Sequence, residues 1–122
     1  MAIIALRPLL QLPPTDECNA SEHFQNTVLR PILKLQHHVV IRLVSIHQTF
    51  NSVTKASRTQ QEFLQSVSGM LQSDVKLRNQ LVGLIIGMMT TTEMDIYFVN
   101  ASEYNRRIIQ MAAQRVVDTV WK

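Results

Sequence analysis

The stretch Asp95–Val116, "DIYFVNASEYNRRIIQMAAQRV", decides the fold. Its first six residues have the aromatic and β-branched content of a strand. Over a longer window Met94, Tyr97, Phe98, Ala101, Tyr104, Ile108, Met111, Ala112 and Val116 recur at the spacing of one helical face. That pattern predicts one helix from Glu93 to Trp121, bent near Asn100. Thr92 would cap it, with Glu93 and Asp95 complementing the dipole of the first turn. Three Gly and four Pro in 122 residues are too few for an all-β chain, which needs frequent turns.

The rest of the chain repeats the helical signal. Phe24, Val28, Ile32, Leu35, Val39, Leu43, Ile46, Phe50 and Val53 fall on one face, and Leu29, Leu33, Val40 and Val44 form a second apolar stripe beside it. The region from Ser21, a candidate N-cap, to Asn51 therefore reads as a single helix on the order of 45 Å long, kinked or started late at Pro31. Thr59-Gln60-Gln61-Glu62 is a capping-box pattern that starts a helix carrying Phe63, Val67, Met70 and Leu71 inward. Ser73-Asp74 caps a third helix to about Met89, with Leu77, Leu81, Leu84, Ile85 and Met88 on its buried side. Two long helices bracketing two short ones predict an all-α protein, a small antiparallel bundle of about four helices. Residues 21–122 form the one bundle domain, and residues 1–20 an arm, apolar and then polar.

That arm, "MAIIALRPLLQLPP" at its start, lacks the basic lead-in and small-residue cleavage site of a signal peptide, and Arg7-Pro8 interrupts it. The run Leu81–Met89, "LVGLIIGMM", is too short to span a bilayer. Gly83 and Gly87 lie on one side of its helix, where each costs about 1 kcal/mol relative to Ala. Close approach of another helix would offset that cost, within the chain or between subunits; a ligand on the bare backbone is the third option. Cys18 is the only cysteine, so no disulfide within the chain is possible, which suits a reducing, cytoplasmic compartment.

Chemistry-bearing motifs are sparse. His23, His37, His38 and His47 include no pair at i and i+4 and no His-x-x-Glu, so no metal site is expected. No nucleophile motif and no phosphate-binding Gly-rich loop are present, so no catalytic residue and no cofactor site are assigned. The six methionines could line a cavity for a small apolar ligand, although methionine more often serves as adaptable core.

Charge placement is more informative. The net charge is only +3, yet no acidic residue occurs between His23 and Gln61. Arg30, Lys34, His37, Gln48, Ser52 and Lys55 fall opposite the core stripe of the first helix, giving a basic face suited to an acidic partner or a nucleic-acid backbone. Asn105-Arg106-Arg107 projects from the polar side of the last helix. Arg115 lies instead on its Ile108/Met111 side, where a charge must pair with a carboxylate or sit at an interface edge. The apolar surface exceeds what one small bundle covers, which predicts a homodimer built on Leu29, Leu33, Val40 and Val44, on the Gly83/Gly87 face, or on both. The reading is a non-enzymatic binding or regulatory module acting through protein contacts.

Phe24–Gln36, "FQNTVLRPILKLQ", and Asn105–Val116, "NRRIIQMAAQRV", resemble segments of a family of short uncharacterised bacterial all-helical proteins, some of which are labelled glyoxalase. The resemblance implies a helical fold in a bacterial cytoplasm and brings no catalytic residue. Glyoxalase folds are strand-rich with spaced His and Glu ligands, and this chain offers neither.

Overall fold

A computed structural model describes residues 20–121; residues 1–19 of the arm, Cys18 among them, lie outside the described residues. Every element among them is helical. Ala20–Phe24, Gln25–Leu29 and Arg30–Leu35 run end to end as α1. It is followed by α2 (His37–Ser45), α3 (Phe50–Ala56), α4 (Gln60–Ser73), α5 (Val75–Ile86), α6 (Thr91–Val99) and α7 (Ala101–Val120). The helices are therefore shorter and more numerous than two long and two short ones.

Helix α7 is the centre of the assembly; α1, α2, α4, α5 and α6 all pack against it. Its Tyr104, Ile108, Ile109, Ala112, Ala113, Val116 and Val117 are buried, and together they occupy far more than one stripe. Ala112 and Ala113 are fully buried at its middle, where short side chains let neighbouring helices come close. Phe63 of α4, also fully buried, sits 5.6 Å centroid to centroid from Trp121 and 6.0 Å from Phe50. Phe24 packs against Tyr104 at 4.5 Å and fastens α1 to the start of α7.

The expected first helix is not one rod. Proline at position 31 has no N–H for the carbonyl four residues back, and its ring crowds that carbonyl. The chain answers with a π-turn over Gln25–Leu29, in which Arg30 N–H donates to the Gln25 carbonyl five residues back. Thr27 Oγ1 donates to the His23 carbonyl at 2.7 Å within the same turn. Pro31 thus lies inside the run of α1 and does not start it. The kink comes at Gln36, whose backbone leaves helical values (φ −93°, ψ 14°) while its N–H and C=O still bond Ile32 and Val40. A second break follows at residues 46–49. Ser21 lies inside α1, not at its cap.

Breaking the rod moves its buried side. Along α1 the core line is Phe24, Val28, Leu29, Ile32 and Leu33; along α2 it is Val40 and Val44. Leu29, Leu33, Val40 and Val44, expected as a subunit interface, are all 0% exposed within the chain's own core and are unavailable to another copy. Leu35, Val39 and Ile46, expected inside, face solvent.

The helix starts follow their capping chemistry. Thr59 accepts from Glu62 N–H at 3.1 Å, and Glu62 reaches back to Arg58 N–H, one residue beyond the capping-box position. Asp74 caps α5 by accepting from Leu77 N–H at 3.0 Å. Its other oxygen takes the His47 ring 27 residues away at 2.6 Å, joining the end of α2 to the start of α5. His47 Nδ1 accepts from Thr49 N–H, so Nε2 carries the proton donated to Asp74. Those two hydrogen bonds, Leu77 first, hold the Asp74 carboxyl below its usual range. Thr90, not Thr92, caps α6, in a full capping box with Glu93. Asn100 (φ −143°, ψ 53°) then separates α6 from α7, so the expected single helix is two. The segment that read as a strand, Asp95–Val99, is helical.

Among the described residues no other helix presses on the two glycines. A Cβ on Gly83 would meet nothing within 4 Å, and one on Gly87 would meet the carbonyls of Gly83 and Leu84 in its own helix, at 3.2 and 3.9 Å. Gly83 has no positive φ to justify it. Gly83→Ala is accordingly expected to stabilise the protein by roughly 0.5–1 kcal/mol, through helix propensity and a less disordered unfolded chain. Urea unfolding followed by circular dichroism measures it. A destabilised G83A would show that something covers this face in solution.

Candidate functional site

Two surfaces of the α1–α2 segment carry features that the fold itself does not require. The first is a basic cleft. Arg30 enters it from α1, and His37 from the first position of α2, just after the Gln36 kink. Met111, Gln114, Arg115, Asp118 and Thr119 line it from one face of α7. The cleft encloses about 390 Å³.

Arg115 is the half-buried charge that the sequence left without a partner. Its partner is no carboxylate: Nη1 donates to His37 Nδ1 at 3.1 Å. That bond leaves the imidazole proton on Nε2, which points toward Thr119 Oγ1 at 3.5 Å. His38 stands edge-on to the His37 ring, with centroids 5.3 Å apart. Burial, then the Arg115 charge, then His38 push the His37 pKa below its ordinary 6.5. Burial, and after it the Arg30 charge, lower that of Arg115, which nevertheless stays ionised. Asp118 lines the cleft but accepts from Gln114 Nε2 at 2.8 Å. Among the described residues neither Arg30 nor Arg115 has a carboxylate at ion-pair distance.

The contrast with the other arginine pair on α7 is direct. Glu103 accepts from both Arg106 and Arg107, and those bonds hold its carboxyl below the usual range. Arg107 also donates to Gln25 Oε1 at 2.6 Å and so ties α7 to α1. These cations are occupied in holding the fold, whereas Arg30 and Arg115 face an open cleft.

The second surface is the outer face of the α1–α2 segment. Leu35, Val39 and Ile46 are 36%, 44% and 63% exposed. Lys34, His38 and Arg42, also exposed, run beside them. The expected basic face is therefore divided. Arg30 and His37 converge in the cleft, Lys34 lies by the apolar strip, and Lys55 sits apart on α3. A further exposed apolar group, Ile96, Phe98 and Val99, lies on α6. Met70 and Met89 are packed into the core, whereas Met111 lines the cleft.

No three His, Cys, Asp or Glu side chains among the described residues come together as metal ligands, and none of the described helices is long and apolar enough to cross a membrane. No family model matches the chain, and neither does any curated protein or solved structure. Sequence reasoning missed the pairing of Arg115 with His37 because 78 residues separate them. The usable signal was Arg115 itself, a charge on an apolar face.

The His37 shift fixes a pH dependence. The unfolded chain takes up the proton more readily than the folded one, so the stabilising contribution is complete above pH 6.5. It is lost as pH falls from there through the lower folded value. Arg115→Gln removes one of the cations responsible and is expected to move the His37 titration back up toward 6.5. Proton NMR of the imidazole signals measures both proteins. A wild-type His37 titrating at or above 6.5 would contradict the arrangement.

Proposed function

We propose that the protein is a non-enzymatic binding module, an antiparallel helical bundle that acts through protein–protein contacts in a bacterial cytoplasm. Its docking surface is the outer face of α2 and the end of α1, and the partner is an acidic amphipathic helix. One observation carries the reading. Leu35 at the end of α1, Val39 on α2 and Ile46 just past the end of α2 lie exposed on a segment whose opposite side is core, with Lys34, His38 and Arg42 alongside. Apolar residues at helical spacing give a partner helix something to bury, and the adjacent cations select acidic residues on it. The sequence from His23 to Gln61 contains no Asp or Glu to neutralise them. A two-fold self-contact through this face would set those cations against their own copies, which favours a different, acidic partner.

A fluorescent peptide with Leu at i, i+3, i+4 and i+7 and Glu elsewhere is the probe. Anisotropy at low salt is expected to show binding that weakens as salt is raised. Val39→Glu with Ile46→Glu should abolish it while circular dichroism stays helical, because both side chains face water. No binding of this peptide by the wild type would overturn the reading. Oligonucleotide binding that falls steeply with salt and ignores Val39→Glu would put nucleic acid in the partner's place.

Self-association is the second reading, and α6 supports it. Phe98 and Val99, 66% and 86% exposed, sit with Ile96 on one short helix, an apolar group large enough to bury against a copy of itself. Light scattering at high micromolar concentration is expected to show a dimer that Phe98→Asp converts to monomer. A wild-type monomer under those conditions ends this reading.

A further inference from the structure

We propose that the cleft between α1, α2 and α7 is a binding site for a phosphate-type oxyanion, held by Arg30, Arg115, His37 and Thr119. The site is separate from the α2 docking surface and does not rest on it. Four features of the geometry argue for it.

First, Arg30 and Arg115 line the same cleft, with Arg30 near enough to disfavour the charge on Arg115, yet the described residues supply no carboxylate to either. Half-burying one of two neighbouring like charges is costly unless an anion joins them. Second, the donor types suit a tetrahedral oxyanion. Arginine presents planar forks that match phosphate oxygens, and the Thr119 hydroxyl adds a neutral donor at the same wall. A flat monoanionic carboxylate would use one fork and leave the second cation uncompensated. Third, about 390 Å³ is far more than an inorganic phosphate needs, which leaves room for the organic group of a phosphomonoester against Met111. Fourth, His37 lets the site adjust its charge. It now accepts a hydrogen bond from Arg115. With a dianion between the guanidiniums, Arg115 can turn to the anion and release Nδ1, and the imidazole can take up a proton and become a further donor.

Arg115 and His38 oppose the protonation of His37, and the other charged groups lining the cleft are Arg30 on α1 and Asp118 on the α7 wall. A dianion outweighs the cations, so binding raises the His37 titration and strengthens toward acid pH until the phosphate itself protonates. Asp118 works against the ligand at the same time. Its removal is a test that a purely structural role for the cleft does not predict.

Titration calorimetry and imidazole NMR would be run with inorganic phosphate and with phenyl phosphate, against sodium chloride at matched ionic strength. Both phosphates are expected to move the His37 signals where chloride does not. Tighter binding of phenyl phosphate identifies a phosphomonoester as the ligand, and equal binding identifies free phosphate. Arg115→Gln should weaken binding by about tenfold or more, the size of one charge-assisted hydrogen bond. Arg30→Gln, on an exposed residue whose loss leaves the core intact, should weaken it similarly. Asp118→Asn should strengthen binding, and Arg106→Gln, which is committed to Glu103, should not change it. The proposal is overturned if phosphate shifts His37 no more than chloride does, or if Arg30→Gln binds as tightly as wild type. Anisotropy with the acidic peptide should be the same for R30Q and wild type, so the two sites stand or fall separately.

Discussion

The burial of α7 on several sides is the constraint from which the rest of the structure follows. A helix that touches five others cannot carry large side chains all round, because each neighbour must approach within about 8–10 Å of its axis. Ala112 and Ala113 meet that requirement at its middle, and Ile108, Ile109, Val116 and Val117 fill the wider spaces above and below. The surrounding helices are short because each spans only the part of α7 that it covers. Capping residues then end one and begin the next: Thr59, Asp74 and Thr90 each satisfy the orphan N–H groups of a new first turn.

This division explains which parts of the fold were legible in the sequence. Thr59 and Asp74 could be recognised because a cap is a local device, a side chain and an N–H three residues apart. Thr90 was displaced by two residues because three consecutive threonines offer the same chemistry, and only Thr90 pairs with Glu93 in both directions. The helical character of "DIYFVN" was legible from its continuation, since period overrides propensity over a long window. The break at Gln36 was not, and at Asn100 the sequence offered a bend within one helix where the chain ends one helix and begins another. The apolar pattern runs through both without a gap, and at Gln36 nothing local marks the point where the chain gives up one buried side for another. That rotation is a tertiary fact, set by the direction in which α7 lies, and it turned expected core (Val39, Ile46) into surface and expected surface (Val40, Val44) into core.

Gly83 and Gly87 show the same limit from the other side. A small-xxx-small pair is consistent with a helix pressed against backbone, but the sequence cannot say whether any helix comes. Among the described residues of the chain none does: Gly83 lies over open space. The surface features follow a related rule. Local pattern identified the basic composition of residues 24–61, while the three-dimensional path decided which cations share a space. Arg30 and His37 meet Arg115 only because α1 and α2 both lean on α7 around the Gln36 kink.

The arginines of α7 therefore divide by what the fold asks of them. Arg106 and Arg107 lie one turn from Glu103 and share its carboxylate, a pairing set by helical spacing alone. Arg115 has no acidic residue three or four positions before it, and Asp118, three positions after, is turned toward Gln114. Its guanidinium is instead directed at a histidine, a weaker acceptor than a carboxylate, and lies within the field of a second arginine. Stability alone would favour an uncharged residue at a half-buried helix position. An arginine there, beside Arg30 and facing a cleft, is what a site needs when the missing negative charge belongs to a ligand.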